Sequence, residues 1–311
     1  MAESSTSTAC TVCGRRDSQD VFPPQPVPRR ALRRCAACET VFLEGWRDGF
    51  VPELYEYYGS WLGKPRSEIF DAITEKRYQG LSDTLRGMAP GKRLLDVGCG
   101  MGHWVDFTMR AGWKVQGIDL SKAAVRLCHD LGLPVTETDF MSGDLPPGGF
   151  DVITMFELIE HVPSPPAFLA RAGELLAPGG VLFMSTPNFG CLDRRLLGGQ
   201  WTVIHEEHLS YFTPKSLTKV LLATGAFRDV QIRTRNVSPG ALRHVLTRTL
   251  HRGGRNDASA APVEVTPLYA ESGARRRIEN SRLLSSVKSG VNTFLNAFDL
   301  GTDMSILCRR V

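Results

Sequence analysis

The chain has 311 residues, of which 42% are hydrophobic and 23% are charged, so it can bury one large core and carry a smaller module. Its formal net charge of +4 neither requires nor excludes an acidic partner such as nucleic acid or an anionic lipid. The polar start MAESSTSTAC has no apolar core of signal-peptide length, and no stretch has the roughly 18 uninterrupted apolar residues of a spanning helix. We therefore expect a soluble cytoplasmic protein.

Two Cys-x-x-Cys pairs lie near the start of the chain, Cys10 with Cys13 and Cys35 with Cys38. The Pro-rich stretch between them is too short to form a core, so something other than hydrophobic burial must hold it together. In a reducing cytoplasm this spacing predicts a four-thiolate zinc site, with disulfides as the alternative. We expect residues 1–45 to form a zinc ribbon around a structural Zn²⁺, because four sulfur ligands leave no position open for a substrate.

A helical and aromatic pattern follows the cysteines and ends at Pro90-Gly91. It carries aromatic side chains in its first half and apolar residues at helical spacing in its second half. We expect residues 46–90 to form an N-terminal helical lid that leads into the main domain.

Short apolar runs alternate with amphipathic stretches from residue 91 to residue 235. Strands are predicted over residues 94–97, 115–118, 135–138, 152–155, 181–184 and 230–234. Helices are predicted near residues 103–111, 122–131, 165–176 and 214–224, with Ser121 and Ser164 as N-caps of the second and third. Strands that alternate with helices form parallel βαβ units, so the predicted fold is α/β, a Rossmann-like, doubly wound and mostly parallel sheet.

Residues 236–311 are predicted to be a C-terminal helical extension. Its middle, residues 252–262, is rich in Gly, Arg, Ala and Pro, and an apolar helix is expected near residues 287–300. A last strand over residues 304–309 would return to the sheet. The apolar helix could lie on a membrane, close a homodimer or cover the substrate as a lid, and the sequence leaves these alternatives open.

Three glycines, Gly98, Gly100 and Gly102, stand directly after the first predicted strand of the sheet and before a helix. Glycine lets the backbone turn sharply and approach a ligand within contact distance. The spacing differs from a dinucleotide-binding loop, because His103 occupies the position of the third glycine. Asp96, just before the loop, also argues against a dehydrogenase.

Acidic residues end the next two strands. Asp119 closes the second strand, where a carboxylate can accept hydrogen bonds from ribose hydroxyls, and Asp139-Phe140 closes the third. Together with the glycine loop and the Pro-Gly-Gly sequence at 178–180, they resemble the motif set of class I S-adenosylmethionine-dependent methyltransferases. The resemblance implies adenine recognition by the Asp139 side chain and by the Phe140 backbone or ring. The residues expected to bind S-adenosyl-L-methionine are Asp96, Gly98, Gly100, Gly102, Asp119, Leu120, Asp139, Phe140 and Phe156.

The segment after the fourth strand, residues 150–163, resembles the ubiquinone-biosynthesis O-methyltransferase branch of that superfamily, and this resemblance covers roughly residues 90–235. In that branch a Glu-x-x-Glu-His element lines the acceptor pocket and has been linked to a divalent cation. Here the element is Glu157, Glu160 and His161. One helical turn would place all three on one face, as a second divalent cation needs, whereas the alternative is that they only shape the pocket.

Removal of a proton from the methyl acceptor calls for a side chain that is neutral near pH 7. The candidates are His161, His205 and His208. Because a Tyr-Phe-Thr-Pro turn follows His208 and should cross the mouth of the pocket, we expect His161, His208 and the neighbouring Glu160 to be the catalytic residues.

The leading functional hypothesis is O-methylation of a small-molecule hydroxyl on a sugar, a polyketide, or another secondary-metabolite or cell-surface precursor. Sugar C- or N-methylation is an alternative. A further alternative is an RNA methyltransferase that docks RNA through the zinc module. The arginines available for that contact are Arg15, Arg16, Arg29, Arg30, Arg33 and Arg34. A non-catalytic scaffold that keeps the fold is the last hypothesis, and it predicts no cofactor binding.

Overall fold

The computed structural model describes residues 8–22, 30–45, 57–70, 72–238, 241 and 282–311. The chain divides into two compact units. Unit 1 consists of residues 1–45, 187–217 and 232–304, and unit 2 consists of residues 46–186, 218–231 and 305–311. The stretch 252–262, expected to be loose, lies outside the described residues.

The secondary structure is numbered in chain order. The strands are β1 (Ser18–Phe22), β2 (Leu32–Cys35), β3 (Val41–Leu43), β4 (Arg93–Val97), β5 (Lys114–Asp119), β6 (Val135–Glu137), β7 (Phe150–Phe156), β8 (Leu176–Pro187), β9 (Ser210–Tyr211), β10 (Phe227–Arg235) and β11 (Asp303–Arg310). The helices are α1 (Arg66–Ile69), α2 (Ala72–Met88), α3 (His103–Arg110), α4 (Lys122–Asp130), α5 (Pro165–Leu175), α6 (Leu192–Leu197), α7 (Pro214–Ala223) and α8 (Arg282–Ala297).

The larger sheet has seven strands in the order β10-β11-β8-β7-β4-β5-β6. Strand β4 pairs in parallel with β5 and β7, and the pairs β5–β6 and β7–β8 are also parallel. This arrangement confirms the predicted Rossmann-like α/β fold. The order of the strands along the chain reverses between β4 and β7, and in such sheets ligands bind in the crevice beyond the carboxyl ends of the strands at this reversal.

Local sequence signals explain where the helices begin. Ser121 caps α4, because its hydroxyl accepts a hydrogen bond from the Ala124 N–H at 3.2 Å. Ser164 occupies the predicted N-cap position of α5, but its side chain makes no capping hydrogen bond. The helix starts Pro165-Pro166, so one of the two N–H groups that a cap can use, the one at the second position, is missing.

The strand predicted over residues 181–184 is longer in the structure, where β8 also includes the Pro-Gly-Gly sequence at 178–180. Strand β8 begins at Leu176, which pairs with Phe150, and an irregularity in the register follows before Val152 pairs with Val181. Gly179 has a φ of +72°, which accommodates this irregularity.

The core of unit 2 is aromatic and aliphatic. Trp104 and Phe107 of α3 stack with ring centroids 5.8 Å apart, and Trp113 donates to the buried Ser82 hydroxyl at 2.9 Å. They pack with residues of β4, β7 and β8, namely Leu94, Val152, Val181 and Phe183. Among the described residues, no helix combines the length and the apolar character that crossing a bilayer demands.

Unit 1 contains a four-stranded sheet in the order β1-β2-β3-β9. The pairs are antiparallel, and the last strand comes from a distant part of the chain: Val41 is opposite Tyr211, and Phe42 is opposite Ser210. A buried cluster covers one part of this sheet and includes Leu32, Val41, Leu43, Phe189, Leu197, Trp201, Ile204 and Tyr211. The cysteine segment therefore shares its sheet and its core with residues 187–217.

We predict that Ile153→Ala destabilises the protein by about 2–5 kcal/mol, because Ile153 of β7 is fully buried and its truncation leaves a cavity in the central sheet. The control is Leu222→Ala in α7, where the side chain is 53% exposed and the expected change stays within about 0.5 kcal/mol. Urea unfolding followed by tryptophan fluorescence measures both. Equal losses in the two variants would contradict the described packing.

Candidate functional site: the glycine loop and the histidine segment

The loop between β4 and α3 has the backbone conformation that its glycines predict. Gly98, Gly100 and Gly102 have φ values of +68°, +51° and +77°. A Cβ on Gly102 would lie 2.6 Å from the Leu133 side chain and 2.9 Å from Cys128 Sγ, so a larger residue does not fit there. The loop lies at the carboxyl end of β4, at the reversal of strand order.

Asp119 at the end of β5 is bound to this loop. Its carboxylate accepts the Gly100 N–H on one oxygen and the Ser121 N–H on the other, both at 2.8 Å. Burial raises the pKa of Asp119, and the hydrogen bonds from the backbone act in the opposite direction. The structure thus places Asp119 beside the glycine loop, and Leu120, next in the chain, exposes 53% of its surface.

Asp96 lies in β4 just before the loop and is 2% exposed. The hydroxyl of Thr154 donates to its carboxylate at 2.7 Å. Burial raises the pKa of Asp96 to about 7, and the nearby charge of Asp119 adds to this rise. The carboxyl group can therefore be neutral in the neutral pH range.

Asp139 and Phe140, which follow β6, differ in burial: Asp139 is exposed and Phe140 is buried. One carboxylate oxygen of Asp139 accepts the N–H groups of Met141 at 2.6 Å and Ser142 at 3.1 Å, so this oxygen is used by its own loop. The ring of Phe140 is buried, 5.3 Å from the ring of Phe168. A contribution of Phe140 to a ligand would thus come from its backbone. Phe156 at the end of β7 packs on Trp104 and Phe183.

Aromatic residues of the expected lid also reach the glycine loop, which the sequence interpretation did not assign to the site. The Tyr58 hydroxyl would lie 3.0 Å from a Cβ on Gly100. His103 Nε2 is 2.8 Å from the Ile69 carbonyl oxygen, and its ring meets that of Phe70 edge to face. The tyrosine-rich composition of residues 55–58 was the available signal, but spacing alone does not say which ring approaches the loop.

The Glu-x-x-Glu-His segment is a turn, not the helical turn that was predicted. The His161 N–H donates to the Leu158 carbonyl at 3.0 Å, and no helix is assigned between residues 157 and 161. Glu157 adopts a φ of +47°, which turns the segment as it leaves β7. The side chains of Glu157, Glu160 and His161 do not form one three-ligand group among the described residues, which corrects the predicted arrangement for a second cation.

Glu160 is buried, whereas Glu157 is exposed. Thr186 donates to one oxygen of Glu160 at 2.9 Å, and the other oxygen has no hydrogen-bond partner among the described residues. Burial, followed by repulsion from Glu157, raises the pKa of Glu160 well above its ordinary value. A ligand atom of His161 lies within 4.8 Å of the Glu160 carboxylate, so the two side chains are neighbours in unit 2.

The other predicted catalytic residue, His208, belongs to unit 1 and is 7% exposed. Its Nδ1 is 2.8 Å from the Val203 carbonyl oxygen, which can only accept a hydrogen bond. Nδ1 therefore carries the proton, and Nε2 carries the lone pair. The His205 ring lies 3.8 Å from the His208 ring, measured between centroids.

The four cysteines of unit 1 converge. The sulfurs of Cys10 and Cys38 are 3.6 Å apart, those of Cys13 and Cys35 are 3.4 Å apart, and all four lie within 4.8 Å of one another. These distances are far longer than the roughly 2 Å of a disulfide and are close to the roughly 3.8 Å expected between sulfurs around a tetrahedral zinc ion. The thiols are free, so the predicted disulfide alternative is not what the structure contains.

Comparisons with known proteins agree with this geometry. Residues 71–231, just over half of the chain, match the family model of a methyltransferase domain. The chain is 46% identical over 108 residues to the ubiquinone biosynthesis O-methyltransferase of Nitrosococcus oceani, which is 32% of this chain and 44% of that protein. It is 42% identical over 113 residues to the protein of the same name from Ralstonia nicotianae, which is 33% of this chain and 48% of the relative.

A crystal structure of a SAM dependent methyltransferase from Archaeoglobus fulgidus is similar at a TM-score of 0.49 and 17% identity, covering 76% of this chain and 93% of that one. The chain belongs to the methyltransferase domain family, and its fold and glycine loop are those of class I S-adenosylmethionine-dependent methyltransferases. It spans about half the length of the curated relatives that it matches.

The raised pKa of Asp96 gives a prediction for the pH dependence of stability. Between pH 3.8 and about 7 the native state binds more protons at Asp96 than the unfolded state, so this group's contribution to the free energy of unfolding falls as the pH rises and is constant above that range. The largest slope is about 1.4 kcal/mol per pH unit. Asp96→Asn should remove this slope in urea unfolding between pH 5 and pH 8.

The matched control for Asp96→Asn is Asp130→Asn at the exposed end of α4, which should keep the wild-type slope. An Asp96→Asn variant whose stability changes with pH as the wild type does would refute the assignment to Asp96.

Proposed function

We propose that the chain transfers a methyl group from S-adenosyl-L-methionine to the hydroxyl oxygen of a small-molecule acceptor. The acceptor class is a sugar, a polyketide, or another secondary-metabolite or cell-surface precursor. The observation that supports this most is the glycine loop with its N–H bound to Asp119, at the reversal of strand order in the sheet. The similarity to O-methyltransferases favours oxygen over carbon or nitrogen as the methylated atom.

Asp119 is the residue proposed to accept hydrogen bonds from the ribose hydroxyls. Each of its oxygens accepts one backbone N–H and can accept a further bond, because a carboxylate oxygen has two lone pairs. The exposed Leu120 side chain offers an apolar surface to the adenine. Gly98 and Gly100 let the backbone approach the cofactor, and Asp139 and the Phe140 backbone complete the proposed adenine site.

Methyl transfer needs little covalent chemistry from the protein. The sulfonium makes the methyl group electrophilic, so the enzyme aligns donor and acceptor and removes the proton of the acceptor hydroxyl. We assign proton removal to Nε2 of His208, because the hydrogen bond from Nδ1 to Val203 leaves the lone pair on Nε2. His161 is the second candidate for this role.

Glu160 is proposed to act as a neutral carboxylic acid that donates a hydrogen bond to the acceptor. Burial raises its pKa, and Thr186 donates to only one of its oxygens, so the protonated oxygen can serve as a donor. A divalent cation bound by Glu160 and His161 is the alternative, and a rate that depends on added Mg²⁺ and is abolished by a chelator would favour it.

The zinc module is proposed to bind one structural Zn²⁺ through Cys10, Cys13, Cys35 and Cys38. Their four sulfurs would fill a tetrahedral site, so the ion would stabilise the fold and not contact the substrate. The apolar residues packed with the cysteines are few, Phe42 and Val12, and give little hydrophobic stabilisation of their own.

RNA docking through the arginines is the less favoured proposal. Arg33, one of those available, already pairs with Asp20 at 3.1 Å and with Glu44 at 3.2 Å. A charge that is neutralised by two carboxylates contributes less to phosphate binding. Failure of the protein to retain structured RNA at low salt would exclude this function.

For the cofactor site, we predict that Asp119→Ala lowers the affinity for S-adenosylhomocysteine by about 10²- to 10⁴-fold, the equivalent of two lost charge-assisted hydrogen bonds. Isothermal titration calorimetry measures the affinity. Asp130→Ala removes an exposed carboxylate from α4 and should bind like the wild type. Equal affinities in all three proteins would place the cofactor elsewhere.

For catalysis, we predict that His208→Gln lowers kcat by about 10²- to 10⁴-fold while the affinity for S-adenosylhomocysteine is unchanged, because only proton removal is lost. Release of S-adenosylhomocysteine from a panel of hydroxylated acceptors provides the assay. His129→Gln is the matched control: His129 Nε2 bonds to the Val135 carbonyl at 2.7 Å, outside the proposed chemistry. A fully active His208→Gln variant would transfer the role of base to His161.

For the zinc site, we predict one equivalent of zinc per chain in the wild type and substantial loss of zinc in Cys35→Ser, measured by inductively coupled plasma mass spectrometry. Cys35 is buried within the cluster. Cys308→Ala, in β11, should retain the full equivalent. Zinc-free wild-type protein, purified without chelators, would argue against the proposal.

A further inference from the structure

The first cysteine pair is connected to β9 through a side chain that is not one of the four proposed zinc ligands. Thr11 stands between Cys10 and Cys13, and its hydroxyl is 2.8 Å from the hydroxyl of Ser210. Ser210 is fully buried. The contact joins residues 199 positions apart in the sequence, and both lie in unit 1.

The backbone makes the same connection from the second cysteine pair. Strand β3 begins three residues after Cys38 and pairs with β9, and the Leu43 N–H donates to the Leu209 carbonyl at 3.1 Å. On β3, the Phe42 ring is buried against Cys10 and Cys35. Both cysteine pairs therefore hold the segment that begins at Leu209.

That segment is the one that fixes His208. The Tyr211 hydroxyl donates to the His205 carbonyl at 3.2 Å, and the Tyr211 ring meets the His208 ring edge to face at 5.8 Å. The Nδ1 of His208 is in turn bonded to Val203. Hydrogen bonds within residues 203–211 thus hold this segment as a loop. The pairing of β9 with β3 fixes the position of its last two residues, Ser210 and Tyr211.

We propose that the cysteine module positions His208, with Thr11 and Ser210 as the positioning residues. This inference rests on the proposed zinc site and on the proposed role of His208. The residues around Thr11 form a turn with two backbone hydrogen bonds, from Cys10 N–H to the Arg15 carbonyl and from Gly14 N–H to the Cys10 carbonyl, both at 2.9 Å. Metal bonds from Cys10 and Cys13 would fix this turn further and keep the Thr11 hydroxyl against Ser210. Loss of the metal would weaken this contact with β9 and, through β9, the hydrogen bond that sets the tautomer of His208.

The test uses full-length protein with ¹⁵N-labelled histidine, in which the His208 signals are identified by their absence from His208→Gln. We expect Thr11→Val to retain zinc but to shift or broaden the His208 Nδ1 and Nε2 resonances. It should lower kcat by about 2- to 10-fold, the worth of one hydrogen bond, with unchanged affinity for S-adenosylhomocysteine. Thr11→Ser should restore both readouts.

The matched control is Thr8→Val, which removes a hydroxyl of the same module whose hydrogen bond is to the Gly45 N–H, at 3.1 Å, and not to Ser210. Its His208 resonances should be those of the wild type. Removal of zinc with 1,10-phenanthroline should perturb the His208 resonances, and added Zn²⁺ should restore them.

Unchanged His208 resonances in both Thr11→Val and the zinc-depleted protein would overturn the proposed positioning. A different result would show that the proposed role of His208 in catalysis is wrong while its positioning by the cysteine module is right. If His208→Gln is fully active while zinc removal and Thr11→Val still shift the His208 resonances, the positioning is supported and the role of His208 as base is wrong.

Discussion

The carboxylate of Asp119 accepts two backbone N–H groups, those of Gly100 and Ser121, and so ties the end of one strand to the loop that leaves its neighbour. Parallel strands make this contact possible, because they bring the carboxyl ends of β4 and β5 to the same edge of the sheet. The three left-handed glycines of this loop have no side chains to pack, so hydrogen bonds restrain it. The Gly98 and Cys99 N–H groups donate to the Ile118 carbonyl at 2.9 and 3.1 Å, and the Asp119 carboxylate adds the side-chain restraint at Gly100. The proposed cofactor site depends on the shape that these bonds give the loop.

A second constraint operates in unit 1, where a two-residue strand links the cysteine segment to the histidine loop. Strand β3 pairs with β9 through the backbone, and the Thr11 hydroxyl contacts the hydroxyl of Ser210 in β9. Val41 and Leu43 of β3 are buried in the same cluster as Tyr211 of β9. With the proposed zinc bound, the cysteine module need not touch a substrate to influence a reaction. It can act by fixing the conformation of a segment that carries a proton acceptor, which is the role inferred above for the module.

The sequence was sufficient for the parts of the molecule that depend on local pattern. The parallel sheet, the positions of α3 and α4, the left-handed glycines and the convergence of four cysteines all follow from periodicity, capping and spacing. The sequence was not sufficient where long-range contacts decide. Strand β9 is too short to show a period, the Glu157–His161 segment forms a turn because Glu157 is left-handed, and Tyr58 reaches Gly100 from a distant segment.

The central claim is that the crevice at the glycine loop and Asp119 is where the methyl donor binds. A crystal structure of the protein grown with S-adenosylhomocysteine tests it most directly. We expect density for the ribose within hydrogen-bond distance of the Asp119 carboxylate, with the adenosyl group over Gly98 and Gly100. Density for the ligand at any other place, with the glycine loop empty, would contradict it.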